Sequence, residues 1–401
     1  MTILPDYDEF SGRHYETAAI RNHLAYRGYK APHTGEPYTE ALMMGVSGGA
    51  VMGYFSFAYE GHDPMCRILT RNTFDPLETM LSRLGFVQEN LRTASPEKAD
   101  EHLKEMLDSG VPALVWADAY SLDYNGRGEF PDMWMMTPIL VYGLDAGTGE
   151  ALVADRAAVP FRVSQEALLA ARGRIKKEKH RLLTLSPPNP DKLVSAVQAG
   201  IWDCIRLYTE APPKGTKNNF GLQAFLFWTE LLTRPKHRLS WARVFPPGRE
   251  MFAGLRGAYH SIHLFDGYRH AGRGLYADFL EEAALILKNE ALSDAAARFR
   301  AAGESWDALG LALLPENVAP FKETRDLLER RDKLFVEQGA AALDEIRSCE
   351  QRLGEILDSM ETDFPLTEAE AVSMCAGLAE QVLVLHDVER EAVQALTGAM
   401  G

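Results

Sequence analysis

Cysteine is scarce in this chain of 401 residues, and its four copies lie far apart. Cys66, Cys204, Cys349 and Cys375 show none of the short spacings that bind zinc or build a disulfide framework. The sequence therefore predicts four reduced, mostly buried thiols. It predicts no metal site and no cofactor.

Basic residues are also few, since 42 Lys and Arg stand against 57 Asp and Glu, a formal net charge of −15. Such a chain is repelled by phosphate backbones and anionic membrane surfaces, which argues against nucleic acid or a membrane as a partner. The first ten residues show no basic segment and no apolar run, and apolar stretches such as 222–228 are too short to cross a bilayer. The sequence predicts a cytoplasmic protein without a signal peptide.

What the chain does contain is an ordinary globular composition, 46% apolar and 25% charged. Its length exceeds what one hydrophobic core usually holds. Helix and strand patterns are mixed in residues 1–185, the proline-rich segment 186–190 has the character of a linker, and residues 191–401 are almost entirely helical in pattern. We therefore predict an α+β N-terminal domain followed by an all-α domain.

Local signals place several elements. The spacing predicts a helix over 14–26 that Gly28 ends, and a helix over 96–108 that Ser95 caps. Strands are predicted over 139–142 and 151–154, joined by a turn. Apolar residues at three- and four-residue steps predict one long helix over 321–360. Residues 369–400 are expected to form its antiparallel partner in a helical hairpin that could serve as an oligomer interface.

The segment around His14 is the first candidate for chemistry. On a helix, His14 and Glu16 do not share a face, so they would form a proton-relay pair only if the helix began between them. The alternative is a helix cap with Tyr15 as a packed aromatic.

Glu40 with Ser47, Gly48 and Gly49 is the second candidate. Adjacent glycines allow a ligand to approach the backbone, but the nucleotide-binding form Gly-x-x-x-x-Gly-Lys-Ser/Thr is missing, which favours a tight turn.

Polar residues at strand ends form a third group, with Asp118 and Tyr120 on one side and Asp145 and Asp155 on the other. Carboxylates at such positions orient a catalytic histidine or cap a turn.

The fourth group lies in the helical half. The steps between His260, His263 and His270 resemble metal-ligand spacing, but Asp266 is the only carboxylate near them. The Gly/Arg loop that leads into a helix at Arg273 better fits anion recognition or domain packing.

The order of four segments, 12–22, 38–49, 118–122 and 139–145 leading to Asp155, resembles the N-terminal domain of the butirosin biosynthesis protein H family. The stretches 273–284 and 306–309 resemble the helical domain that usually follows it. The resemblance implies a papain-like fold related to bacteriocin-processing cysteine peptidases. It also implies a place in specialised metabolism, where the family's namesake transfers an aminoacyl chain from a carrier protein to an amine.

Carried over residue by residue, the resemblance places the family's cysteine on Tyr15 and its histidine on or near Thr137, and it keeps the orienting acid as Asp155. A tyrosine phenol (pKa about 10) beside a threonine has no base to activate it. The resemblance thus implies that the thiol mechanism is lost.

Three hypotheses follow, and they leave open whether the chain is an enzyme. It binds an acyl chain, an amine or an acyl carrier protein without thioester chemistry. It is an enzyme whose site has moved to His14, Tyr15, Glu16 or Glu40. Or it is a non-catalytic scaffold that forms homo-oligomers through its C-terminal helices. The ligand-binding residues expected under the first hypothesis are Glu40, Ser47, Gly48, Asp118, Tyr120 and Arg273.

Overall fold

The computed structural model describes residues 2–126 and 133–401, which group into two compact units. Unit 1 consists of Met1–Glu40, Leu81–Lys192 and Arg330–Gln351, and unit 2 of Ala41–Met80, Leu193–Glu329 and Arg352–Gly401. The predicted domains 1–185 and 191–401 stay a prediction, because a compact unit is not by itself an independently folding domain. The predicted class is confirmed: the N-terminal part is mixed helix and sheet, and the C-terminal region is helical.

The strands are β1 (Thr2–Ile3), β2 (Ala50–Phe57), β3 (Met65–Arg71), β4 (Gln88–Leu91), β5 (Ala113–Asp118), β6 (Met136–Asp145), β7 (Glu150–Ala154), β8 (Phe161–Ser164) and β9 (Leu182–Leu185). The helices are α1 (Ala18–Tyr26), α2 (Glu40–Val46), α3 (Pro76–Arg83), α4 (Pro96–Asp108), α5 (Gln165–Gly173), α6 (Leu193–Thr209), α7 (Gly221–Thr233), α8 (Trp241–Val244), α9 (Arg249–His263), α10 (Arg273–Leu287), α11 (Ala291–Leu313), α12 (Ala319–Gln338), α13 (Leu343–Ser359) and α14 (Glu368–Met400).

Unit 1 is built on an antiparallel sheet in the order β4-β9-β5-β6-β7-β8, with β1 paired to the far part of β6. All six residues of β5 are buried, and the first five are apolar, as expected of a central strand. In the register of this sheet Ala117 pairs with Thr137, and Leu140 pairs with Ala154. The ends of β5 and β7 therefore lie beside the start of β6, at one end of the sheet.

Helix α1 packs on β5 and β6. The Nδ1 atom of His23 lies 3.1 Å from the carbonyl oxygen of Pro112, just before β5 begins. At the same end of the sheet, near the C-terminal end of β6, the ring of Tyr7 stacks on Tyr142 at 4.2 Å and lies 5.2 Å from the ring of Tyr26. The C-terminal end of α1 thus lies near the end of β6, and its N-terminal turn points toward the start of β6.

Acidification is expected to destabilise the protein through His23. Burial, together with the charge of Arg27, lowers the pKa of His23 to about 4, below the unfolded value of about 6.5. Between pH 6.5 and pH 4 the His23 side chain is protonated in the unfolded chain but neutral in the folded chain. The contribution of neutral His23 to the free energy of unfolding is therefore fully present above pH 6.5 and decreases as the pH falls toward 4. In urea unfolding at pH 7, 6 and 5, His23→Gln should show a smaller loss of stability on acidification than the wild-type chain.

The matched control is His62→Gln at an exposed position, which should keep the wild-type pH dependence. Burial also lowers the pKa of His263 to about 4, so part of the dependence will remain in the His23 variant. Equal slopes for His23→Gln and the wild-type chain would contradict the assignment.

The prediction of one helix over 321–360 is wrong, because α12 ends at Gln338 and α13 begins at Leu343. Gly339 between them has a φ of +55°, a conformation that favours glycine. A Cβ at this position would lie 2.7 Å from Val159 and 2.8 Å from Phe161. The close approach explains why the break is at a glycine.

The predicted partner of that helix is also different. Helix α14 packs along α11 and α7 within unit 2. Asn289 bonds to Ala399 and Trp306 to Glu389, so α11 and α14 are antiparallel. In the described part of the chain α14 is the one helix long and apolar enough to cross a membrane, and 28% of its most apolar stretch is buried. The expectation that every apolar stretch is too short therefore needs correction for α14, and the cytoplasmic location stays a prediction.

Candidate functional site

The turn before α1 is organised by the carboxylate of Glu40, the first residue of α2. It accepts the backbone N–H of Arg13 at 2.7 Å and that of His14 at 3.3 Å, and it accepts the hydroxyl of Thr17. Glu40 is buried. These contacts make Glu40 a positioning residue that fixes the start of α1.

His14 is fully buried in the same turn. Its Nδ1 accepts the backbone N–H of Glu16 at 3.2 Å, so the neutral ring carries its proton on Nε2. The ring centroid lies 4.2 Å from that of Tyr15, and both Tyr15 and Glu16 are partly exposed. The backbone N–H of Ala18 bonds to the carbonyl of His14 at 2.9 Å. The helix predicted from residue 14 therefore begins at Ala18, although its first hydrogen bond reaches back to His14.

Thr137 lies near the start of β6 and is 1% exposed. Its Oγ1 has no hydrogen-bond partner among residues 2–126 and 133–401. A buried hydroxyl without a partner is uncommon in native proteins and calls for an explanation, such as a ligand or an ordered water.

Asp155 follows β7 and is held by its own neighbour. Its carboxylate accepts Nε of Arg156 at 3.0 Å and Nη2 at 3.2 Å, and the hydroxyl of Tyr124 lies 3.3 Å away. A further bond joins Arg156 to the Oδ1 of Asn125 at 2.9 Å. Burial and the charge of Asp155 raise the pKa of Tyr124 well above its usual value, so the phenol stays protonated and donates.

The charge of Asp155 is therefore balanced by a guanidinium. The resemblance assigns this acid to orienting an imidazole, but in the structure Arg156 and Tyr124 occupy its oxygens. The pairing with Arg156 went unpredicted, although an arginine directly after the aspartate was a visible signal.

Asp118, at the end of β5, caps the turn that follows. One carboxylate oxygen accepts the backbone N–H of Met135 at 2.7 Å and that of Tyr120 at 3.3 Å. The other accepts the hydroxyl of Ser121 at 2.7 Å. Tyr120 itself is partly exposed. The capping interpretation of Asp118 agrees with these contacts.

Ser47 and Gly48 belong to unit 2, in the turn between α2 and β2. The amide of Asn72 donates to the carbonyl of Ser47 at 2.8 Å. Gly48 has a φ of +112°, and a Cβ there would collide with the Asn72 amide. Internal packing accounts for this glycine, and the contacts give no support to the predicted ligand role.

Arg273 also belongs to unit 2, and its side chain is fully buried. Its five N–H groups donate to Glu389, the carbonyls of Thr70, Ala271 and Val51, and the hydroxyl of Tyr208, at 2.7–2.9 Å. No donor of the guanidinium is left for a ligand. These contacts make Arg273 a core residue, and it has no part in the proposed function.

The partner of Arg273 is a residue that the sequence did not single out. Glu389 on α14 is fully buried. It accepts Arg273 and the indole N–H of Trp306, each at 2.7 Å, on one oxygen and the hydroxyl of Tyr208 at 2.5 Å on the other. The available signal was its place on the apolar face of α14, between the buried residues Leu385 and Ala392.

The histidines of the helical half lie near Asp307. Nδ1 of His270 is 2.6 Å from one carboxylate oxygen and Nδ1 of His263 is 3.5 Å from the other. Within the part of the chain that the structure describes, no three His, Cys, Asp or Glu side chains are grouped to hold a metal ion.

The residues that the resemblance assigns to the family site, Tyr15, Thr137 and Asp155, all lie in unit 1. The turn at Tyr15, Thr137 on β6, and Asp155 and Asp118 at the strand ends lie toward the same end of the sheet. The other predicted ligand residues, Ser47, Gly48 and Arg273, belong to unit 2.

Comparison with known families identifies part of the chain as similar to a described family. Residues 14–156 match the family model described as butirosin biosynthesis protein H, N-terminal. No curated protein matches the chain.

Proposed function

Residues 14–156 belong to the butirosin biosynthesis protein H-like family, and from this premise we propose that the chain binds an acyl or amine ligand without a thiol nucleophile. The binding place is the end of the unit 1 sheet where Tyr15, Thr137 and Asp155 lie. The ligand class follows from the family's acyl-transfer chemistry.

The observation that carries the proposal is which residues occupy positions 15, 137 and 155, and what they contact. A thioester intermediate needs a thiolate with a base in hydrogen-bond reach. At the positions that the resemblance assigns to the thiol and the imidazole, this chain has the phenol of Tyr15 and the hydroxyl of Thr137, and Asp155 is paired with Arg156. In unit 1 the one described thiol is Cys349 on α13, where burial raises its pKa and disfavours the thiolate.

Thr137 supplies a recognition group. Leaving a buried hydroxyl without a partner costs about 1–3 kcal/mol. A ligand carbonyl or amine that bonds to Oγ1 removes this cost, so binding is favoured at this position. The partly exposed Tyr15 gives a second contact near the same end of the sheet.

Binding is tested with the full chain and a short acyl-pantetheine thioester as the probe. We expect non-covalent binding by calorimetry, no acyl adduct by intact mass spectrometry, and weaker binding after Thr137→Val, which replaces the hydroxyl with a methyl group. Thr184→Val, on β9 of the same sheet, is the matched control and should bind as the wild-type chain does. A covalent adduct on the wild-type chain, or unchanged affinity in Thr137→Val, would overturn the proposal.

Introducing the thiol and the imidazole that the resemblance leads us to expect should give covalent chemistry. In the double variant Tyr15→Cys with Thr137→His, we expect the thioester probe to leave an acyl group on the introduced thiol, seen as a mass increase that hydroxylamine removes. Tyr15→Cys alone lacks the base and should react at least about tenfold more slowly, in line with the 10²–10⁴-fold worth of a positioned base. Equal rates in the single and double variants would show that residue 137 does not face residue 15.

The other hypotheses gain no support from the contacts. The oxygens of Glu40 and the Nδ1 of His14 hold the turn before α1, which gives both residues a structural role. A relocated catalytic site, a carrier-protein partner, a homo-oligomer and a scaffold function all stay predictions.

A further inference from the structure

Unit 2 contains an apolar groove formed by α7, α8, the start of α9 and the first turns of α14. Its volume is about 210 Å³. We call it the α14 groove and define it by its lining residues: Leu232, Thr233, Pro235, Trp241, Ala242, Phe245, Pro247, Met251, Ala371, Val372, Cys375 and Ala376. All of them belong to unit 2 and none takes part in the proposed function.

The floor of the groove is preformed. Trp241, Phe245 and Met251 are at most 2% exposed. The indole N–H of Trp241 donates to the hydroxyl of Tyr54 at 2.9 Å, and its ring lies 4.7 Å from that of Phe245. Side chains fixed in this way keep the groove open, and an apolar cavity with a rigid aromatic floor is typical of small-molecule sites.

The walls remain open to solvent. Val372 is 69% exposed, and Ala376 and Ala242 are exposed as well. An apolar cavity of about 150 Å³ is enough to bind benzene, so the α14 groove has room for a medium-length hydrocarbon chain. A chain lying along Val372 and Ala376 would cover apolar surface that now faces water.

The segment that carries the lining residues Pro235, Trp241 and Ala242 is rich in basic residues, in contrast to the net charge of −15 of the whole chain. Residues 231–249 contain no Asp or Glu, and their five basic residues are Arg234, Lys236, Arg238, Arg243 and Arg249. Two of these are already paired, Arg234 with Glu230 and Arg249 with Asp63 and Asp358.

The other three cations are available. Lys236, Arg238 and Arg243 are exposed and form no ion pair with any carboxylate in the described part of the chain. Arg243 is fixed beside the groove, since its Nε donates to the carbonyl of the lining residue Pro235 at 3.3 Å. Acidic side chains flank the segment and the groove: Glu230 and Glu250 come directly before and after residues 231–249, and Glu368 and Glu370 lie in the first turn of α14.

We propose that the α14 groove binds a single medium-length acyl chain that ends in an anionic head, as in a fatty acid. The hydrocarbon lies on Trp241, Phe245 and Met251, and the carboxylate lies against Lys236, Arg238 and Arg243. The proposal is independent of the function assigned to unit 1, because it uses none of the same residues.

Binding of decanoate to the full chain, measured by calorimetry, tests the proposal. We expect decanoate to bind more tightly than decanol, and decyltrimethylammonium to bind more weakly than either. Ala376→Trp fills the groove from an exposed position and should weaken decanoate binding at least about tenfold. Ala301→Trp, at an exposed position on α11, should leave the affinity unchanged.

The charge contribution is tested by Lys236→Glu with Arg238→Glu. We expect about tenfold weaker binding of decanoate and unchanged binding of decanol. Lys333→Glu, at an exposed position on α12 in unit 1, is the matched control. If the wild-type chain bound decanoate and decanol with equal affinity, the proposal that the ligand has an anionic head would be wrong.

Alkylation of Cys375 reports on the groove directly. Burial raises the pKa of this thiol to about 11, so its reaction with iodoacetamide is followed by peptide mass spectrometry at pH 9. Decanoate should slow the reaction at Cys375, and the buried Cys66, Cys204 and Cys349 serve as internal references. An unchanged rate, or binding to phosphatidylglycerol vesicles with no binding of decanoate, would overturn the proposal.

Discussion

Replacing Glu389 with alanine should lower the free energy of unfolding by about 3–5 kcal/mol, the usual cost of removing one partner of a buried ion pair. Arg273 and Glu389 are both fully buried and lie 2.7 Å apart. Without the carboxylate, the guanidinium keeps its charge at a fully buried position with no counter-ion. The other donors to Glu389, Trp306 and Tyr208, lose their acceptor at the same time.

A matched control lies two residues further along α14. Glu391 is exposed and makes a 3.7 Å ion pair with the half-exposed Arg298. Glu391→Ala should change stability by less than about 1 kcal/mol, as expected for a surface pair. Urea unfolding followed by circular dichroism gives both values. If both variants lowered the free energy of unfolding by a similar small amount, the guanidinium of Arg273 would not be a buried charge that depends on Glu389.

Gly200→Ala should destabilise unit 2 by about 2 kcal/mol, since inserting a methyl group into a packed interior costs roughly 1–3 kcal/mol. Gly200 lies on α6 where the helix crosses α2. A Cβ there would collide with the carbonyl oxygen of Gly45 and would lie 2.9 Å from the Cα of Val46. Both are backbone atoms, so only a shift of the whole helix relieves the collision.

The same substitution at Gly354 on α13 should act in the opposite direction. A Cβ at Gly354 meets nothing within 4 Å. Alanine is therefore expected to stabilise by about 0.5–1 kcal/mol, because glycine loses more backbone entropy in a helix. The melting temperature of Gly200→Ala should lie below that of the wild-type chain, and the melting temperature of Gly354→Ala should lie above it. A rise in both would show that α6 and α2 are further apart than in the structure.

Sequence alone predicted the elements whose signals are local. Helix α4 begins at Pro96 with the Ser95 hydroxyl accepting the backbone N–H of Lys98, as its N-cap residue indicates. The strands of the β6–β7 hairpin are longer than predicted, but the turn is where the glycines placed it. The break at Gly339 was missed, because the collision that requires glycine comes from Val159 and Phe161, distant in sequence.

In the candidate site, too, the features with local sequence signals could be predicted, and those that depend on residues distant in sequence could not. The position of polar residues at strand ends follows from alternation and turn signals, so Asp118 and Asp155 could each be predicted to lie at a strand end. That the two strand ends lie at the same end of the sheet follows only from the register. The partners of the two carboxylates could not be predicted. Arg156 turns back onto Asp155, and Tyr124 reaches it from 31 residues earlier in the chain. Such pairings depend on side-chain directions that only the completed packing determines.

The buried pair of Arg273 and Glu389 also constrains when unit 2 can fold during synthesis. The two residues are 116 positions apart, and Glu389 lies close to the C-terminal end of α14. At 5–20 residues per second, Arg273 is made roughly 6–23 s before its counter-ion. During that interval its charge favours a hydrated, unpacked state of α10, so we expect the core of unit 2 to close only after α14 has left the ribosome.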